Sequence, residues 1–119
     1  MIMEVRSYLE TVSIQDTAGA KEAVLEANFS AGEMKRLRRG RVATICGNLA
    51  IKRAVKALLR DNGFASLPEK EIAVGRDEDG APSVLFHARG ISSEKVRVSL
   101  SHTRCTAYGI AVYEQERDG

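Results

Sequence analysis

An α+β fold, in which an antiparallel sheet packs on one long helix with shorter helices beside it, is the class this sequence predicts. Three observations predict it. Apolar residues recur near the helical period from Arg41 to Arg60. After Pro68 the apolar period falls to two, the signature of half-buried strands. Between two of those runs stands Asp79-Gly80, a strong hairpin signal. Helices therefore come first and antiparallel strands follow.

Met1 to Val12 alternates weakly, with Ile2, Val5, Tyr8, Leu9 and Val12 apolar among polar neighbours, and its first part is expected to be a strand. Ala20 to Ala27 is rich in helix formers and follows Thr17 or Gly19 as a start. Ser30 with Glu33 makes a capping box, in which the hydroxyl accepts from the third helical amide while the carboxylate reaches back. A short helix should then run to about Arg39 and stop at Gly40. In Arg41 to Arg60, the strongest helix, Val42, Ile45, Leu49, Ile51, Ala54, Val55 and Leu58 form the apolar stripe. Asn62-Gly63 ends it, because both residues tolerate positive φ. Gly47 inside it costs about 1 kcal/mol relative to alanine, which a close packing contact would explain.

Glu71 to Val74 reads as a short strand, Arg76 to Gly80 as a charged turn and Ser83 to His87 as the answering strand. Gly90 to Glu94 reads as a loop. Val96, Val98 and Leu100 alternate with Arg97 and Ser99, a half-buried strand. Ala107 to Tyr113 is the last strand and is apolar enough to be central in its sheet.

With 119 residues and no repeat or linker, the chain is expected to be one domain, 1–119. Hydrophobic residues at 44% and charged residues at 29% fit a globular core and argue against disorder. A net charge of +2 is too small to announce a nucleic-acid binder, although a local basic patch can still face an acidic partner. No apolar run approaches the roughly 20 residues of a membrane span, and with Glu4, Arg6 and Glu10 interrupting the first residues no signal peptide is expected. Cys46 and Cys105 have no metal-ligand spacing and read as free thiols of a cytoplasmic protein.

Three features carry polar chemistry. Lys52 and Lys56 are four residues apart on the long helix, with Asn48 and Arg60 extending the same stripe. That stripe suits a phosphate or an acidic partner, although on residue type alone it reads first as an ordinary solvated helix face. Ser99 and Ser101 share one face of their strand, and His102, Thr103 and Arg104 leave its end together. An imidazole, a hydroxyl and a guanidinium there make an anion site or a plain polar turn. Asp77 to Pro82 is explained by its hairpin and lacks the ligand series of a calcium loop.

These segments occur in the order of one family. Phe29-Ser-Ala-Gly-Glu33 is similar to F-T-x-x-E. Leu49-Ala-Ile-Lys52-Arg53-Ala54-Val-Lys56-Ala-Leu58 is similar to F-A-A-K-E-A-x-x-K-A-L. Glu71-Ile-Ala-Val with Asp79-Gly80-Ala-Pro82 follows a hairpin I-x-V … D-x-x-G-K-P. Val98-Ser99-Leu100-Ser101-His102-Thr103 … Ala107-Tyr108-Gly-Ile-Ala111-Val112 resembles V-S-L-S-H-T … A-x-A-x-V. From Phe29 to Glu114 the chain thus resembles a 4′-phosphopantetheinyl transferase of the holo-acyl-carrier-protein synthase type. The resemblance implies transfer of 4′-phosphopantetheine from coenzyme A, the substrate, to a serine of an acyl carrier protein. It implies a magnesium ion on the pyrophosphate, and a homotrimer with sites between subunits. It also implies Lys56 as a catalytic residue and Lys52, Ser101, His102 and Thr103 as substrate-binding residues; the chemistry of their guanidinium groups adds Arg53 and Arg104 as substrate-binding residues.

The sequence departs from the family at both metal positions. The K-E-A glutamate is Arg53, and the aspartate of the N-terminal G-I-D strand falls near Ser7, with Glu4 and Glu10 the nearest carboxylates and Asp16 too close to Phe29 to fill the slot without a shift. No metal ligand is therefore assigned. An arginine there can bind phosphate directly and repels magnesium. The alternatives to a transferase are a relative that binds coenzyme A or a carrier protein without transfer, and a purely structural subunit.

Overall fold

The computed structural model describes residues 2–117. Strand β1 (Ile2–Ser13) leads into a short helix α1 (Ile14–Ala18), then α2 (Lys21–Asn28), α3 (Ala31–Leu37) and the long α4 (Val42–Asp61). A 3-10 turn over Glu69–Glu71 precedes the hairpin of β2 (Ala73–Arg76) and β3 (Pro82–Leu85). The small hairpin of β4 (His87–Ala88) and β5 (Ile91–Ser92) follows, and β6 (Val96–His102) and β7 (Thr106–Arg117) close the chain. The fold class is α+β, as expected. The main sheet is antiparallel with order β1-β7-β6, so β7 is its central strand.

Helix α4 lies on this sheet and is its core. Ile51, Ala54, Val55, Leu58 and Leu59 pack against Ala111 and Tyr113 of β7 and against Ile72, Val74 and Phe86. Its first half joins Ile45, Cys46, Leu49 and Ala50 to Val12, Leu25, Phe29, Leu37 and Ala107. Full burial of one such aliphatic side chain stabilises by about 1.5–3 kcal/mol, so packing rather than helix propensity fixes α4. One glycine allows a close approach. A Cβ on Gly109 of β7 would sit 2.3 Å from the Ile51 amide nitrogen, so strand and helix backbones nearly touch there. Gly47 faces Leu100 of β6, whose methyl carbon would stand 3.4 Å from an added Cβ. The contact at Gly47 is thus an ordinary one, so the close packing expected to explain that glycine is not found.

Several expectations change. Met1, the head of the expected first strand, lies outside the described residues, and β1 continues to Ser13 because β7 pairs with it residue for residue from Ile2↔Arg117 to Ser13↔Thr106. Helix α1 was not expected. Ser13 caps it by accepting from the Asp16 amide, at 3.2 Å. The stretch Gly90 to Glu94 is not a plain loop, because Gly90, at φ 89°, turns β4 into β5. Gly80, at φ 82°, makes the expected β2–β3 turn, and the capping box of Ser30 and Glu33 is formed as read.

Candidate functional site

Glu33 is the first organising residue. Its carboxylate completes the capping box, accepting from the Ser30 amide at 3.1 Å. The same group accepts from the Val74 amide at 3.0 Å and from the Lys52 ammonium at 2.7 Å. Lys52 also donates to the Glu69 carbonyl at 2.9 Å and lies 4.5 Å above the Phe29 ring. Both charged side chains are buried, at 0% and 6% exposure. Burial pushes the Lys52 ammonium below its ordinary range, while Glu33 pulls it up. One cluster thus ties α3, α4 and β2 together.

This corrects the expected lysine pair. Lys52 is turned into the core, and Lys56 is half-buried and paired with the Glu69 carboxylate, so they do not form two ammonium groups open to one phosphate. Their spacing also differs from the family segment. Counted along K-E-A-x-x-K, Ala57 holds the second lysine's place and Lys56 stands one residue earlier, about 100° round the helix.

The solvent-facing stripe of α4 is Arg53, Lys56 and Arg60, with Lys56 half-buried. One cavity of about 310 Å³ is lined by these three with Glu10, Ala57 and Glu69. A second, of about 280 Å³, includes Ser13, Asp16, Asn28 and Arg53 in its lining. Arg53 therefore borders both. The strand residues that meet this stripe are Glu10, Val12 and Ser13. Ser7 is exposed, and strand alternation sets it with Val5 and Leu9 on the face away from α4. The expected position of an N-terminal carboxylate near Ser7 is thus corrected: the end of β1 beside Arg53 is Ser13.

At this same end of the sheet, where Val12 and His102 both pair with Ala107, Ser101, His102, Thr103 and Arg104 are all exposed, as the sequence suggested. The turn holds itself rigid: the Thr103 hydroxyl accepts from the Cys105 and Thr106 amides, at 3.2 and 3.1 Å, and the Thr103 amide donates to the Thr106 carbonyl at 2.8 Å. His102 Nδ1 lies 3.0 Å from the Thr103 carbonyl, a contact in which Nδ1 carries the proton and Nε2 is the ring nitrogen left available. Near β6, a larger cavity of about 380 Å³ has Arg36, Asn48, Arg76, Pro82 and Leu100 in its lining. Arg36 is anchored there by donating to the Val74 carbonyl at 3.0 Å. The sequence reading missed Arg36 and Arg76 here. They belong to separate local elements, and only the packing of the β2–β3 hairpin on α3 brings them to one cavity.

A holo-[acyl-carrier-protein] synthase of Clostridium botulinum (strain Eklund 17B / Type B) is 34% identical over 87 residues, which cover 69% of this chain and 70% of that protein. The chain belongs to the holo-[acyl-carrier-protein] synthase family. The same enzyme of Chlorobaculum tepidum is 36% identical over 73 residues, 61% of this chain and 62% of its own. Solved holo-acyl-carrier-protein synthases share the fold. That of Bacillus anthracis, in complex with CoA (3′,5′-ADP), has a TM-score of 0.76 at 17% identity and covers 97% of this chain and 100% of its own. That of Mycobacterium tuberculosis has a TM-score of 0.64 at 27% identity, over 89% and 93%. No protein-family model matches the chain.

Within this family the chain's donor set does not fit a divalent metal. Magnesium takes hard oxygen ligands, mostly carboxylates and water. Among the described residues no three His, Cys, Asp or Glu side chains gather as a metal-holding group. Arg53 places a guanidinium at the helix position of the family carboxylate, and Ser13 beside it offers a hydroxyl already used as a helix cap. No helix among the described residues is long and apolar enough to cross a membrane.

Proposed function

We propose that this protein transfers the 4′-phosphopantetheine group of coenzyme A to a serine hydroxyl of an acyl carrier protein. The observation that carries the reading is the family relationship together with the exposed Ser101–Arg104 turn and the cationic stripe of α4. In the reaction the serine oxygen forms a bond to the phosphorus that bears pantetheine. The bond from that phosphorus to the bridging oxygen breaks, and 3′,5′-ADP leaves. Negative charge builds on the two phosphates as the bond between them breaks, so positioned cations are the main aid the protein offers.

Lys56 supplies one of them. Its ammonium is held by Glu69, which fixes its place without consuming all three of its protons. The serine proton needs an acceptor, and Glu10 is the carboxylate of the same cavity that is not committed to Lys56. His102, Thr103, Arg104 and Ser101 bind polar or phosphate groups of the substrate at the strand end, and Arg53 does so on α4. The cavity of Arg36, Arg76 and Pro82 has guanidinium groups beside apolar walls, which suits a phosphorylated nucleoside.

The assembly is a homotrimer in this reading. The outer face of the main sheet carries Val5 and Leu9, each 60% exposed, and Ile110 beside Leu9 in register. Covering that face with neighbouring copies would remove it from water. The whole chain acts as one domain, in the cytoplasm, where its two free thiols stay reduced.

The test is release of 3′,5′-ADP from coenzyme A by the purified protein in the presence of apo acyl carrier protein. Release that needs the carrier and is lost in Lys56→Ala supports the reading. Absence of release with several carrier proteins, under conditions where coenzyme A binds, leaves a coenzyme A-binding protein and contradicts transfer.

A further inference from the structure

Among the cationic side chains of the α4 stripe, Arg53 differs in one respect. Lys56 is paired with Glu69 and Arg60 with Asp61, but Arg53 makes no hydrogen bond or ion pair among the described residues. It is exposed and borders both cavities of the stripe, where Asp16 lines one and Glu10 the other. Neither carboxylate closes on it. A guanidinium in that position is a two-pronged donor that no protein group among the described residues engages. Its planar fork matches two oxygens of a diphosphate, and its charge disfavours a divalent cation at the same place.

We infer that this chain holds the diphosphate of its substrate directly through Arg53, with Lys56 beside it, and without a divalent cation. The inference rests on the proposed use of coenzyme A. It goes beyond it by assigning charge neutralisation to the protein's own side chains. The neighbouring Ser13 hydroxyl is accepting from the Asp16 amide, so its proton remains free to donate to a phosphate oxygen as well. Arg53 and Ser13 thus add donors at the place where the family has a carboxylate, and the carboxylates Asp16 and Glu10 stand in separate cavities on either side of Arg53.

Calorimetric titration of the full chain with coenzyme A tests this, in EDTA and in magnesium. Equal affinity in the two, within about threefold, is the expected result. Arg53→Glu should weaken binding in EDTA by about tenfold or more, as expected for loss of a charge-assisted contact, and magnesium should restore part of it. Arg53→Lys should fall between them, because the charge stays and the fork is lost. Binding that requires magnesium overturns the inference and leaves the transferase reading standing. Arg53→Glu binding as tightly as the parent in EDTA, with an unchanged circular dichroism spectrum, overturns the role of Arg53. No binding under either condition overturns the coenzyme A reading itself.

Discussion

The Lys52 ammonium and the Glu33 carboxylate meet at 2.7 Å with both side chains out of water. Such a pair is weak evidence for stability as a pair, since taking two charges out of water costs most of what their attraction returns. Breaking it is another matter. Removing one partner leaves a buried charge alone, at about 3–5 kcal/mol. Glu33→Gln and Lys52→Met should each lower the unfolding free energy by about that amount, measured by urea denaturation. The double variant should recover part of the loss. A single-variant loss below about 1 kcal/mol would show that the cluster does not fasten α3 to α4.

The same lysine sets a pH dependence. Burial holds its folded pKa below the ordinary 10.5, with Glu33 working in the opposite direction. The folded protein therefore releases this proton at lower pH than the unfolded chain does. Below the folded pKa both states hold it, and the desolvation cost is fully present. Between the folded and unfolded values the unfolded state binds more protons, so this group's contribution to stability rises with pH. The stability of the parent relative to Lys52→Met should thus increase through the alkaline range. A difference that stays flat or falls would contradict the buried lysine.

Gly109 and Gly47 should respond in opposite directions to alanine. At Gly109 the new methyl would lie 2.3 Å from the Ile51 nitrogen and 2.4 Å from the Ala50 carbonyl carbon, both backbone atoms that cannot step aside. Gly109→Ala should cost at least about 1–3 kcal/mol, or prevent folding. At Gly47 the methyl would meet Leu100 at 3.4 Å, an ordinary contact with a side chain. Gly47→Ala should therefore stabilise, by up to about 1 kcal/mol. Thermal unfolding of the two variants checks both signs, and a destabilised Gly47→Ala would mean that α4 and β6 are packed more tightly than this.

The outer sheet face gives a prediction about assembly. Leu9 is 60% exposed and lies opposite Ile110. Leu9→Glu should convert the proposed trimer to monomer in light scattering, with the circular dichroism spectrum kept. A trimer that survives this substitution would place the interface elsewhere.

Most of the fold was legible because its signals are local. Ser30 and Glu33 announce a helix start within four residues, Asp79-Gly80 a turn within two, and α4 carries its stripe over several turns. The length of β1 was not legible, since its alternation is weak and its pairing partner is nearly the whole chain away in β7. The site was legible as residue types and not as geometry. Ser101 to Arg104 share a turn and were found together. Lys52 and Lys56 looked alike at helical spacing, but Lys52's fate depends on Glu33 and the Glu69 carbonyl, contacts that no local pattern displays. Ser13 was missed for the same reason, because its place beside Arg53 follows from where β1 ends on α4.

The central claim is transfer to a carrier protein serine, and the intact mass of that carrier tests it most directly. Apo acyl carrier protein incubated with this protein and coenzyme A should gain the mass of one 4′-phosphopantetheine group, on its serine, and should gain nothing when that serine is changed to alanine. A carrier whose mass is unchanged after prolonged incubation, with and without magnesium, would contradict the account.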